Sequence, residues 1–204
     1  MNFEFSPEQQ AIREAILKIC AQFDDDYWLK RDREGGFPVE LHQALAKDGW
    51  LGIAMPQEYG GSGLGITEGA ILAQAVTESG AGLSGGSAIS INVFTPNVVV
   101  KFGTEEQKRR ILPPLIEGKV KAAFAVTEPN TGLDTLKLKT RAVREGDRYI
   151  LNGRKVWITT AQVSEKMLIL ARTTPLDQVK HPTDGLSLFY TDIDRRHITV
   201  REIE

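Results

Sequence analysis

The chain has 204 residues, 41% of them hydrophobic and 25% charged, with a formal net charge of -2. That is enough apolar material to bury a core in one large domain or two modest ones. The near-neutral balance provides no basic surface for nucleic acid or an anionic membrane, and the single cysteine, Cys20, excludes an internal disulfide.

The N-terminal stretch MNFEFSPEQQ has no basic region followed by an apolar run, so it does not read as a secretory signal. No stretch reads as the ~18 consecutive apolar residues that a spanning helix needs. Ser6-Pro7-Glu8-Gln9 starts a helix: a capping hydroxyl, proline at the first helical position and Gln three residues after the cap. Ile12, Ile16, Ile19 and Phe23 then form one apolar stripe, with Cys20 beside it as a core thiol. Asp24-Asp25-Asp26 reads as a solvated helix end. Pro38 opens a second helix with Leu41, Ala44 and Leu45 on its inner side and Gly49 as its stop. A third starts near Thr67, in ITEGAILAQAVTESG. The Gly/Ser-rich passage GAGLSGGSAIS separates it from the apolar segment INVFTPNVVVKFG. Thr104-Glu105-Glu106-Gln107 repeats the capping pattern and launches a helix that Pro113-Pro114 ends or kinks.

Near Lys119 the period changes from helical to alternating. AAFAV, LKLKTRAV, RYIL, RKVWIT, KMLILART, DGLSLFYTDI and HITVREI read as strands. Glu145-Gly146-Asp147 and Asn152-Gly153 read as hairpin turns between them. The expected class is α+β: an all-α helical domain over residues 1–120, then an antiparallel β-sandwich or barrel-like domain over residues 121–204 that is incomplete.

Several chemistries fail on the residues. EYGGSGLGITEG is no dinucleotide loop, because Glu68 stands where the third glycine belongs and no strand precedes it. His42 reads as helix surface, His181 as an exposed loop residue, and with His197 they are too scattered for zinc, so no metal is expected. In VWIT, alternation puts Trp157 and Thr159 on one face of a strand and Val156 and Ile158 on the other. A flat aromatic beside a hydroxyl suits a planar heterocycle. Thr127 offers a second hydroxyl where a strand meets the turn Pro129-Asn130-Thr131-Gly132, whose N–H groups can face an anion. The same spacing also fits an ordinary sandwich with one core aromatic and two surface threonines.

AFAVTEPNTGLD, followed by LNGRKVWITTA and LILART and preceded by GTEEQKRRILPPLIEGK, resembles the acyl-CoA dehydrogenases over nearly the whole chain. The resemblance implies FAD, a middle β-domain, a C-terminal helical bundle absent from this chain, and usually a homotetramer. It implies that Phe124, Val126, Thr127, Gly132, Leu133, Trp157, Ile158 and Thr159 bind the cofactor, and that Phe124 and Leu133 also meet the substrate. Two positions depart from the family pattern: Leu133 stands where a serine is usual, and Thr160-Ala161 where Asn-Gly is common. The implied activity is α,β-dehydrogenation of an acyl-CoA thioester, with electrons leaving to an electron-transfer flavoprotein; the expected location is cytoplasmic, since the lone Cys20 reads as the core thiol of a reducing compartment. The base glutamate is expected downstream of Glu204, so this chain holds no catalytic residue and is expected to be inactive alone. Glu128 reads as a structural hydrogen-bonding partner. A flavin-dependent oxidase or monooxygenase of the same fold, or a non-catalytic acyl-CoA- or flavin-binding protein, are the alternatives.

Overall fold

The computed structural model describes residues 4–203; Met1–Phe3 of the N-terminal stretch and Glu204 at the end of HITVREIE lie outside the described residues. The chain divides into two compact units, Met1–Lys121 and Ala122–Glu204.

The first unit is helical: α1 (Pro7–Cys20), α2 (Asp25–Glu34), α3 (Val39–Lys47), α4 (Ile66–Val76), α5 (Gly82–Phe102) and α6 (Glu105–Ile116). Both capping boxes form. The Gln9 N–H donates to Ser6 Oγ at 3.2 Å and the Ser6 N–H to Gln9 Oε1 at 3.1 Å; Thr104 and Gln107 repeat the exchange. Each box satisfies two N–H groups that the helix start leaves open. Ser6→Ala is therefore expected to cost about 1 kcal/mol, read as a lower denaturation midpoint; an unchanged midpoint would contradict the cap's role. Ile16, Leu41, Leu45, Leu51, Leu72, Val76 and Ile89 form the core, together with Cys20. Burial pushes the Cys20 thiol up, against a weaker opposing hydrogen bond with Ser79. It is the packed thiol that its neighbours in sequence suggested.

Asp24-Asp25-Asp26 is an exposed helix end, the start of α2: Asp24 Oδ1 accepts the Tyr27 N–H at 3.0 Å. Three other readings of this unit are corrected. His42 is not on the surface but 2% exposed, with Nε2 3.3 Å from Asn92 Oδ1. Asn92 Nδ2 donates to the Leu115 carbonyl, so its Oδ1 faces His42 as acceptor. The Gly/Ser-rich passage is largely the first part of α5 itself. A Cβ on Gly85 would fall 2.5 Å from the Ala81 Cβ, and one on Gly86 2.7 Å from Thr77 Cγ2, so these glycines permit close packing and do not break the helix. Finally, Ile66–Phe102 is one helical run long and apolar enough to cross a membrane by length and composition. Gly80, at φ 101, breaks it, and residues on both sides of the break are buried in the core.

The second unit carries a five-stranded sheet: β1 (Ala122–Ala125), β2 (Arg141–Glu145), β3 (Arg148–Asn152), β4 (Lys166–Arg172) and β5 (Leu186–Asp192). The α+β order stands, but the sheet is mixed and not wholly antiparallel. β4 lies at its centre, parallel to β1 along Ala122–Ala125, parallel to β2 at Arg141↔Arg172, and antiparallel to β5 throughout. The β2–β3 hairpin turns at Gly146, whose φ is 64. Asn152-Gly153 makes no hairpin: β3 ends there and residues 153–165 are irregular. Nor do the described residues of HITVREI form a strand, though Ile198 and Val200 pack on the core of Ala123, Ala125, Ala161, Met167, Ile169 and Ile193.

Candidate functional site

β1 sends Ala123 and Ala125 into the core and leaves Phe124 half-buried on the opposite face. Val126 and Thr127 continue beyond the strand, half-buried. The chain then folds back in a tight loop: the Glu128 N–H donates to the Thr131 carbonyl at 2.9 Å and the Thr131 N–H to the Glu128 carbonyl at 3.1 Å. Pro129 and Asn130 sit at the tip, residue types that suit such a turn.

The Glu128 side chain is the anchor of this region. It is 6% exposed, and its carboxylate accepts from the Thr140 hydroxyl, the Thr140 N–H at 2.9 Å, the Lys139 N–H at 2.6 Å and Lys155 Nζ at 2.9 Å. Burial alone would raise its pKa; the donors prevail and hold it down to about 2. Burial lowers the Lys155 pKa, and Glu128 partly opposes that. An ionised, fully engaged carboxylate accepts no further proton near neutral pH, so Glu128 holds structure, as its place in TEP suggested.

Lys155 carries this anchoring to the next segment. Its Nζ also donates to the Val126 carbonyl at 2.9 Å, and the Val156 N–H donates to the Thr127 carbonyl at 2.9 Å. The stretch 153–156 thus runs beside 126–128 without forming a strand. Gly153 has to be small here: a Cβ would lie 2.2 Å from Thr140 Oγ1. Beyond it, Trp157 (φ 59) and Thr160 (φ 62) adopt the left-handed conformation, which is unfavourable for such residues and is held only where the surroundings impose it. The expected strand faces survive as exposure: Trp157 (70%) and Thr159 point outward, while Val156 and Ile158 turn in, Ile158 against the core.

The structure therefore joins Val126 and Thr127 to the segment bearing Trp157, Ile158 and Thr159. Gly132 and Leu133 stand apart on the following loop, with no hydrogen bond to residues 155–160 among the described residues. Leu133 is fully exposed, and a Cβ on Gly132 would meet nothing within 4 Å, so the chain's own packing gives no reason for glycine there. The hydroxyls of Thr127 and Thr159, and the N–H groups of Gly132 and Leu133, have no hydrogen-bond partner among the described residues. Such groups suit a planar, hydrogen-bonding cofactor with a phosphate tail. A separate pocket of about 310 Å³ opens by Glu128, Asn130, Lys139 and Arg154, and none of the predicted cofactor residues lines it. Sequence reasoning missed Lys155 and Thr140; only the Lys155–Glu128 pairing, a charge on each of two adjoining motifs, left a trace to follow.

Residues 6–119 match the model of the acyl-CoA dehydrogenase N-terminal domain and residues 123–204 that of the middle domain. The chain belongs to the acyl-CoA dehydrogenase family. It is 32% identical to the acyl-CoA dehydrogenase FadE12 of Mycobacterium tuberculosis, over 95% of this chain and 51% of that protein. With the NADH-dependent acryloyl-CoA reductase of Anaerotignum propionicum it shares 35% identity over 88% of this chain and 46% of the relative. Among solved structures, the acyl-CoA dehydrogenase of Geobacillus kaustophilus superposes with a TM-score of 0.85 at 26% identity, covering 95% of this chain and 50% of that one. The FAD complex of PigA gives 0.84 at 27% identity, covering 94% and 49%. The chain thus spans about half the length of the relatives it matches.

Proposed function

We propose that this chain forms the N-terminal and middle parts of an FAD-dependent acyl-CoA dehydrogenase that converts an acyl-CoA thioester to its trans-2-enoyl-CoA. The observation that carries the reading is the outward pair Trp157 and Thr159, held in a strained loop and tied through Val156 and Lys155 to the end of β1. Bound FAD would supply the hydride acceptor. Trp157 would give it a flat wall, Thr159 and Thr127 would offer it hydroxyls, and Phe124 and Val126 would line the strand side. Ile158 would set the spacing by packing inward. The N–H groups of Gly132 and Leu133 would be donors to its phosphates, and the Leu133 and Phe124 side chains would offer apolar contact to the acyl chain.

The α-proton requires a carboxylate base, and Glu128 is committed elsewhere. The base is proposed to lie downstream of Glu204 in the longer protein. Donation of electrons to an electron-transfer flavoprotein and tetramer assembly complete the proposal and rest on family analogy; a cytoplasmic location is proposed from the lone, packed Cys20, which suits a reducing compartment. The test is Thr159→Ala in the intact protein: single-turnover flavin reduction should slow roughly tenfold, with substrate affinity changed by less than about twofold. Reduction at the wild-type rate would contradict the role given to Thr159.

A further inference from the structure

We propose that Arg195 is a positioning residue for the Trp157–Thr159 segment, clamping the far end of a loop whose near end Lys155 holds. The proposal rests on the cofactor reading above. Residues 153–165 have no strand partner to fix them. The near end is secured by Lys155 and by the Val156 N–H on Thr127. The far end winds into a helix-like turn: the Ala161 N–H donates to the Ile158 carbonyl, and the Val163 and Ser164 N–H groups and the Ser164 hydroxyl all converge on the Thr160 carbonyl. A turn of this kind leaves its last carbonyls open, as a helix C-terminus does. Arg195 Nη2 donates to two of them, Ala161 O and Gln162 O, at 2.9 Å each.

The backbone that presents Arg195 is itself fixed. β5 ends at Asp192 against the start of β4, and the Ile193 N–H donates to the Glu165 carbonyl at 2.9 Å. The Asp194 carbonyl accepts the His197 and Ile198 N–H groups, and its carboxylate engages Arg196. Among the described residues Arg195 has no carboxylate partner, so its donors serve the turn. Trp157 and Thr160, both left-handed, lie between the two clamps. Without the far clamp the loop can relax toward ordinary backbone angles and carry Thr159 out of place.

Arg195→Met in the intact protein tests this, with 5-fluorotryptophan incorporated and the Trp157 fluorine resonance identified by its loss in Trp157→Phe. Arg195→Met should shift or broaden the Trp157 line before any flavin is added and leave the Trp28 and Trp50 lines in place. Flavin reduction should fall roughly tenfold with KM within about twofold, as a misplaced group predicts. Arg195→Lys, which keeps a cationic donor, should recover much of both. An unmoved Trp157 line overturns the proposal, as does a moved line with an unaltered reduction rate, or a lower Tm alone. Should Arg195→Met fail to fold, Arg195→Gln replaces it under the same criteria. A protein that takes up no flavin refutes the cofactor reading instead, and the Trp157 line then decides the clamp by itself.

Discussion

Glu128→Gln will destabilise the β-unit by about 3 kcal/mol near neutral pH, the size expected when a carboxylate held at about 2 instead of its ordinary 4.5 is lost. Glutamine keeps the shape but not the charge. It leaves the Lys155 ammonium buried without its counter-ion, and an unpaired buried charge is costlier than the pair was worth. The pH dependence has a defined sign. Because the folded carboxyl lies below its unfolded value, the stabilisation is fully present above about pH 4.5 and fades as pH falls toward 2. Wild type and variant should therefore converge in acid. They should also draw closer in alkali, since burial lowers the Lys155 pKa and the variant gains stability once that group sheds its proton. Hydrogen exchange of the β4 amides, followed across pH in both proteins, checks this; a difference independent of pH would contradict the ion pair's role.

Gly153→Ala will cost a similar amount, about 2 to 3 kcal/mol, by overpacking. The new Cβ would stand 2.2 Å from Thr140 Oγ1, 2.6 Å from its Cβ and 2.7 Å from its Cγ2, so no rotation of Thr140 clears it. Either Thr140 moves and its hydroxyl leaves Glu128, or the 153–156 stretch moves and carries Trp157 with it. Both routes loosen the proposed cofactor site, so the variant should also retain less flavin through purification. A denaturation midpoint and flavin content equal to wild type would show that the neighbours yield without cost.

The same glycine explains one limit of reading the sequence. Asn152-Gly153 has the composition of a hairpin turn, but its glycine serves contact with Thr140, a residue brought near only by the folded sheet. The true turn, at Gly146, was legible because a positive φ is a local demand. Helix starts at Ser6 and Thr104 were legible for the same reason: a capping box lies within four residues. α2 was not, since DDYWLKRDRE buries only Trp28 and shows almost no apolar stripe. The parallel pairing of β1 with β4 and the burial of His42 depend on distant partners, and no local pattern encodes them. At the site, alternation put Trp157 and Thr159 on one shared face of a strand, yet the segment that bears them is a clamped loop and not a strand. Lys155 and Arg195, which hold that loop, reach carbonyl oxygens that have no signature in sequence.

The visible absorption spectrum of the intact protein as purified, followed under anaerobic addition of an acyl-CoA, decides whether this chain is part of a flavin-dependent acyl-CoA dehydrogenase. A flavin band that bleaches on addition of the thioester is expected. A colourless protein that acquires no band when incubated with FAD would contradict it.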